Sequence, residues 1–346
     1  MSFNAPVSPP GHLQAFGGVS PEGRMETLSP GGESWRPAPG SADLPHGNPL
    51  TEPLELSAAE RALFVDAADG RLHRLSLLDA GLLACGVEDS SSINIAHEKV
   101  AMARDQLLQM VATTPPLSAA GERQSLERVR LIHQVLHQRL LFGGYDANAT
   151  NLAATLRTGI YNCATATLLF VTLAGEVEVQ AAAMELPGHV RAIVECGGQE
   201  YEVEVTCPVW SDAVRPVRTT NKMLGGENDA FSGSEIPRRE ISALGLVAMI
   251  YYNRGIDAFN GHRFSESLAA NRRALLLDPE NKIARGNLLA ALNNWALQLC
   301  DEGYFAEAES LLSAGQQYDP QHLAFIHNAA HVQQVWEKMQ AAVINH

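Results

Sequence analysis

Residues 189–206 read HVRAIVECGGQEYEVEVT. Two runs rich in valine, isoleucine and tyrosine flank a CGGQE segment, and the adjacent glycines supply the positive φ angles that a tight hairpin turn demands. A two-residue turn at Gly197 and Gly198 sets Arg191 opposite Glu204 and His189 opposite Thr206. Side chains alternate along a strand, so these four residues share one face. Glu204 is then the diagonal neighbour of His189, about 7–8 Å away between backbones, a gap that a glutamate side chain shortens. A slip of one residue would turn Glu204 to the other face.

Upstream, VQAAAM offers a possible earlier strand, and Gly188 beside His189 would let another backbone or a substrate approach closely. Further back, RTGIYNCATATLLF (157–170) places Cys163 before a run of helix-forming, mostly apolar residues. Asn162 is a good N-cap, which puts Cys163 at the first helical position. The unpaired N–H groups and the dipole of a first helical turn favour negative charge, on sulfur or on an oxyanion. The Cys163 N–H is the natural first donor to such a hole, and the sequence identifies no second one.

Hairpin geometry therefore permits a Cys163–His189–Glu204 triad. Glutamate would accept the ring N–H and fix the tautomer, freeing the other ring nitrogen to take the thiol proton. On the hairpin alone, an ion pair between Glu204 and Arg191 on a solvated strand face is an equally open reading.

Before this core, the chain turns helical at Leu54, with Ser57 as N-cap and Glu60 three residues on. Three or four helices reach Phe142, and one sets Leu126, Val129, Ile132, Val135 or Leu136, and Leu140 along a single stripe. Residues 1–53, dense in proline, glycine and serine, read as a disordered arm. Residues 211–239 read as a linker or long surface loop.

From 240 to 346 the pattern is helical again. In a 34-residue frame starting at Ala248, Gly255, Ala274 and Pro279 take positions 8, 27 and 32, as in a tetratricopeptide repeat. A second frame from Leu289 places Ala296, Ala308, Gly315 and Pro320 at positions 8, 20, 27 and 32. The frames are offset by 41 residues, and a helix about two turns longer absorbs the seven extra in phase. Residues 321–340 would cap the stack.

GIYNCATATLLF, PGHV and YEVEVT together resemble the three motifs of the transglutaminase-like superfamily: a cysteine opening a helix, a histidine on a strand, and an acid on the next strand with a threonine two residues on. The resemblance covers about 130–210 for the core and 248–320 for the repeats, as in bacterial proteins that join such a core to tetratricopeptide repeats. It implies an α+β fold with a papain-like thiol core at 54–210, a helix packed on a small antiparallel sheet, followed by an all-α array. Carried over, the nucleophile falls on Cys163, the base on His189 and the third member on Glu204, where the family usually has the shorter aspartate.

The expected activity is cysteine-dependent acyl transfer on a protein or peptide, hydrolytic (peptidase or amidase) rather than cross-linking, with no metal or organic cofactor. The repeats would hold a protein partner. The alternative is a catalytically inactive adaptor that binds partners through its repeats.

Composition bounds the remainder. Across 346 residues, 46% are apolar and 18% charged, a globular balance with room for two domains. Acidic residues outnumber basic ones 39 to 25, giving a net charge of −14 with no dense Lys/Arg run, which argues against a nucleic-acid partner. Five cysteines without a C-x-x-C pair fit a reducing compartment better than a disulfide framework or zinc ribbon. No basic start with an apolar core and no long apolar run suggests a membrane, so a cytoplasmic protein is expected. The pairs His133/His137 and His327/His331, each four apart, lack a third ligand and read as helix-face or core histidines. Cys207 reads as structural, and Tyr161 and Trp210 as aromatic packing beside the triad elements.

Overall fold

A computed structural model describes residues 44–45, 47–115, 121–217 and 238–344. The expected arm lies outside the described residues as far as 43, and so do 218–237 of the expected linker. The fold is α+β. Among the described residues the chain divides into two units, 58–250 and 44–57 with 251–344.

The first unit opens with four helices, α1 (Ala58–Asp66), α2 (Leu77–Ala84), α3 (Ser90–Thr113) and α4 (Glu122–Arg139). Most of the stripe read from sequence is the buried face of α4: Val129, Ile132, Val135, Leu136 and the following Leu140 are buried, while Leu126 near the helix start is only partly so. A two-residue parallel pair follows, β1 (Gly144–Tyr145) with β2 (Ile160–Tyr161), separated by α5 (Leu152–Thr158). Next comes α6 (Cys163–Gly175), whose residues CATATLLFVTLAG are apolar on nearly every side. A helix of that kind belongs in a core. Accordingly α6 lies against α2 and α4, and against the sheet through β3 (Ala181–Leu186) and β4 (His189–Cys196).

With β5 (Gln199–Val203), α7 (Trp210–Ala213), β6 (Val214–Pro216) and β7 (Arg239–Ile241), the sheet is a five-stranded antiparallel one of order β6-β5-β4-β3-β7. The turn between β4 and β5 is built from Gly197 and Gly198, with φ of 62° and 86°. It pairs Cys196 with Gln199 and Ala192 with Val203, the register that a two-residue glycine turn dictates. Val190, Ala192, Val194 and Cys196 form one face of β4 and are fully buried, while His189 and Arg191 on the other face are half-exposed.

The ends of the stretch read as a linker supply both edge strands. Their brevity, three residues each, left no alternation to detect, and Pro216 is tolerated because β6 is an edge strand.

Helix α8 (Ala243–Asn260) passes from one unit into the other. The second unit continues with α9 (Phe264–Leu277), α10 (Lys282–Asp301), α11 (Phe305–Tyr318) and α12 (Leu323–Ile344). Short loops join them, and each packs on the next around Leu268, Leu292, Trp295, Leu311 and Phe325. At 20 residues, α10 exceeds α9 and α11, 14 each. The arm's last residues are not loose: Arg272 donates to the Pro49 and Glu52 carbonyls at 2.7 and 2.6 Å. Leu44 and Leu50 pack on the apolar core of this unit. The guanidinium fork and two leucines order a segment whose composition reads as disordered.

Candidate active site

The chain enters α6 from β2, and Asn162 caps the helix in both directions. Its side-chain oxygen accepts the Thr165 N–H at 2.9 Å, while the Thr165 hydroxyl accepts the Asn162 N–H at 3.1 Å. Cys163 is therefore the first helical residue, 1% exposed. Its backbone N–H and that of Ala164 have no hydrogen-bond partner among the described residues, as the first turn of a helix requires.

His189 opens β4. The turn before it pairs Leu186 with His189, and Gly188 takes φ 71° there. That turn, rather than the close approach of a substrate, accounts for the glycine. His189 Nε2 bonds Glu204 Oε2 at 2.7 Å, and the Cys163 side chain lies near enough to raise the proton affinity of the ring. With Nε2 occupied, Nδ1 is the nitrogen left for sulfur. Burial works against the charged ring, but the influence of Cys163 and Glu204 outweighs it and takes His189 up to about 9.

Glu204 stands one residue beyond β5, where its N–H donates to the Ala213 carbonyl at 2.7 Å. Its Oε2 also accepts from Arg191 Nε at 2.9 Å, and its Oε1 accepts from the Thr206 hydroxyl and N–H. Burial would raise this acid, yet the His189, Thr206 and Arg191 contacts bring it down to about 2. One carboxylate thus contacts both the imidazole and Arg191. Arg191 in turn bonds Glu202 at 3.1 Å, and Glu202 pairs with Arg238 at 2.9 Å.

Three successive carbonyls after Glu204 are each held by a donor from elsewhere. His137 Nε2 reaches the Val205 carbonyl at 3.0 Å, the Tyr161 hydroxyl that of Thr206 at 3.1 Å, and His133 Nε2 that of Cys207 at 2.7 Å. Both histidines of α4 are therefore structural donors. Burial first, and His133 beside it second, pushes His137 down to about 4; burial also lowers His133. The rings form a continuous run, with His133–His137, His137–Tyr161 and Tyr161–Tyr145 centroids 4.5, 5.9 and 6.2 Å apart. Trp210 lies 5.4 Å from the His133 ring.

The structure thus brings together Cys163, His189 and Glu204, and adds residues that spacing did not single out. Tyr145 and the anchoring roles of His133 and His137 depend on contacts between α4, β1 and the segment after β5, and no local periodicity reports them. His327 and His331 sit exposed on α12, and among the described residues no group of three or more His, Cys, Asp or Glu could hold a metal. A cavity of about 360 Å³ lined by Arg123, Leu126, Arg130, Tyr201 and Trp210 contains none of the three site residues. Among the described residues, no helix is long and apolar enough to cross a membrane.

The chain matches no family model, no curated protein and no solved structure.

Proposed function

We propose that the first unit is a cysteine-dependent acyl-transfer enzyme of transglutaminase-like type. The observation that carries this reading is the imidazole of His189, hydrogen-bonded to the Glu204 carboxylate at 2.7 Å and near enough to the Cys163 side chain for the sulfur to raise the proton affinity of the ring. Sulfur attacks an amide carbonyl of a protein or peptide and forms a thioester. His189 takes the thiol proton and gives it to the leaving amine, and Glu204 orients the ring. Water as second nucleophile makes the enzyme a peptidase or amidase, an amine makes it a cross-linker, and hydrolysis is the favoured course.

The chain order of cysteine, histidine and acid, and the helix laid on an antiparallel sheet, support a transglutaminase-like core. Tetratricopeptide character in the second unit is supported by the frame glycines. A Cβ on Gly315 would come 2.3 Å from the Phe325 ring, and one on Gly255 2.5 Å from Asn271 Nδ2, so both mark close helix contacts. In this reading the array binds a protein partner.

The second reading, an inactive adaptor, draws on the 1% exposure of Cys163. Labelling separates the two. Iodoacetamide near neutral pH should modify Cys163 faster than the other four cysteines, and His189→Ala should abolish that preference. Equal labelling of all five would favour the adaptor.

A further inference from the structure

The site described so far offers backbone donors for an oxyanion, the Cys163 N–H with the Ala164 N–H beside it in the same helical turn, and no side-chain donor, the other kind from which oxyanion holes are built. Tyr145 is placed to supply one. In the parallel β1–β2 pair it stands in register with Tyr161, two residues before the thiol. Register partners in a parallel pair point to the same side, and Tyr161 points toward the end of β5, where its hydroxyl meets Thr206. The loop after Tyr145 is tied to the helix start, since Asp146 N–H donates to the Tyr161 carbonyl at 2.9 Å and Asn162 Nδ2 to that of Ala147 at 3.5 Å. The Tyr161 and Tyr201 hydroxyls each have a protein partner, whereas that of Tyr145 has none among the described residues.

We propose that the Tyr145 phenol is the side-chain donor of the oxyanion hole, acting with the Cys163 N–H. This rests on the acyl-transfer reading. As the Sγ–C bond forms, the carbonyl π pair moves to oxygen, and the phenol and the amide N–H stabilise that charge. When the pair returns, the bond to the leaving group breaks and the thioester remains. The phenol keeps its proton for this role: burial first, then the charges of Cys163 and Glu204, push Tyr145 up to about 12.

The test compares two reagents at Cys163. Alkylation by iodoacetamide is a displacement at saturated carbon and generates no oxyanion, whereas acylation by p-nitrophenyl acetate does. Background from the other thiols is subtracted with Cys163→Ala. Tyr145→Phe removes one oxygen that holds no other residue, and it should leave the alkylation rate within about twofold of wild type while slowing acylation by roughly 10²–10³-fold. The retained alkylation rate itself shows that the site is still folded. Acylation by Tyr145→Phe at the wild-type rate would overturn the inference and leave the acyl-transfer reading standing. Equal slowing of both reactions would also overturn it, because the phenol would then be supporting the sulfur–imidazole pair. A wild-type Cys163 that reacts with neither reagent faster than the other cysteines would remove the reading beneath it.

Discussion

Glu204 ties the site together through its hydrogen bonds. Its two oxygens take four bonds, from His189, Arg191 and both donors of Thr206. The length of glutamate suits this arrangement, since the acid stands opposite Arg191 in the extended register and must lean diagonally to reach His189. Glu204→Gln keeps the shape and removes the charge, so His189 should titrate lower by roughly 1–3 pH units than its wild-type value. The ring proton resonances, assigned by their loss in His189→Ala, report this, and an unmoved titration would rule out Glu204 as the electrostatic partner. These pairings were legible in the sequence because two glycines fixed one register. The exposure of Cys163 was not, because it depends on how the elements around the helix start pack, which no single segment encodes.

Helix α6 owes its start to a reciprocal cap, and its apolar body explains why it is buried. Asn162→Ala should cost about 0.5–2 kcal/mol in urea denaturation. It should also slow alkylation of Cys163 relative to wild type, because the first turn would no longer be fixed beneath the sulfur. In the second unit, Gly315→Ala would gain about 1 kcal/mol of helix propensity. It would also press a methyl group to within 2.5 Å of three atoms of the buried Phe325 ring. Overpacking of that order costs about 1–3 kcal/mol, so thermal melting should show a net destabilisation. Elements with a long period, such as α4 with its stripe, were readable from sequence. Strands β6 and β7 were not, since they are strands only because β5 and β3 offer them an edge.

For the whole molecule, three groups set opposite limits on stability against pH. His137, about 4 in the fold against an ordinary 6.5, takes up its proton first in the unfolded chain, so its contribution falls as pH drops from 6.5 toward 4. Glu204, about 2 against 4.5, withdraws its contribution as pH falls from 4.5 toward 2. His189 behaves in the opposite sense. Its folded value near 9 lies above 6.5, so its stabilisation is complete below 6.5 and is lost as pH rises to 9. Stability measured by urea titration should therefore peak near pH 6.5. His189→Ala should flatten the alkaline side and also shrink the loss between 4.5 and 2, because His189 is the first of the contacts that lower Glu204. The His137 contribution between 6.5 and 4 should stay in place. The sequence foretold a helical start, an α+β middle and a helical end. It could not foretell this balance, which arises from burial of α4 histidines under carbonyls 68 and 74 residues away in the chain.

The nearness of Cys163 to His189 also times the proposed chemistry. While sulfur carries no acyl group, it helps keep the ring charged, so the proton is already on the imidazole when attack creates an amine that needs it. Once an acyl group occupies the sulfur, that support vanishes and the ring becomes easier to deprotonate. It is then a base, ready for the water that must come next. The protein would thus switch its histidine from donor to acceptor through the intermediate itself, with no moving part.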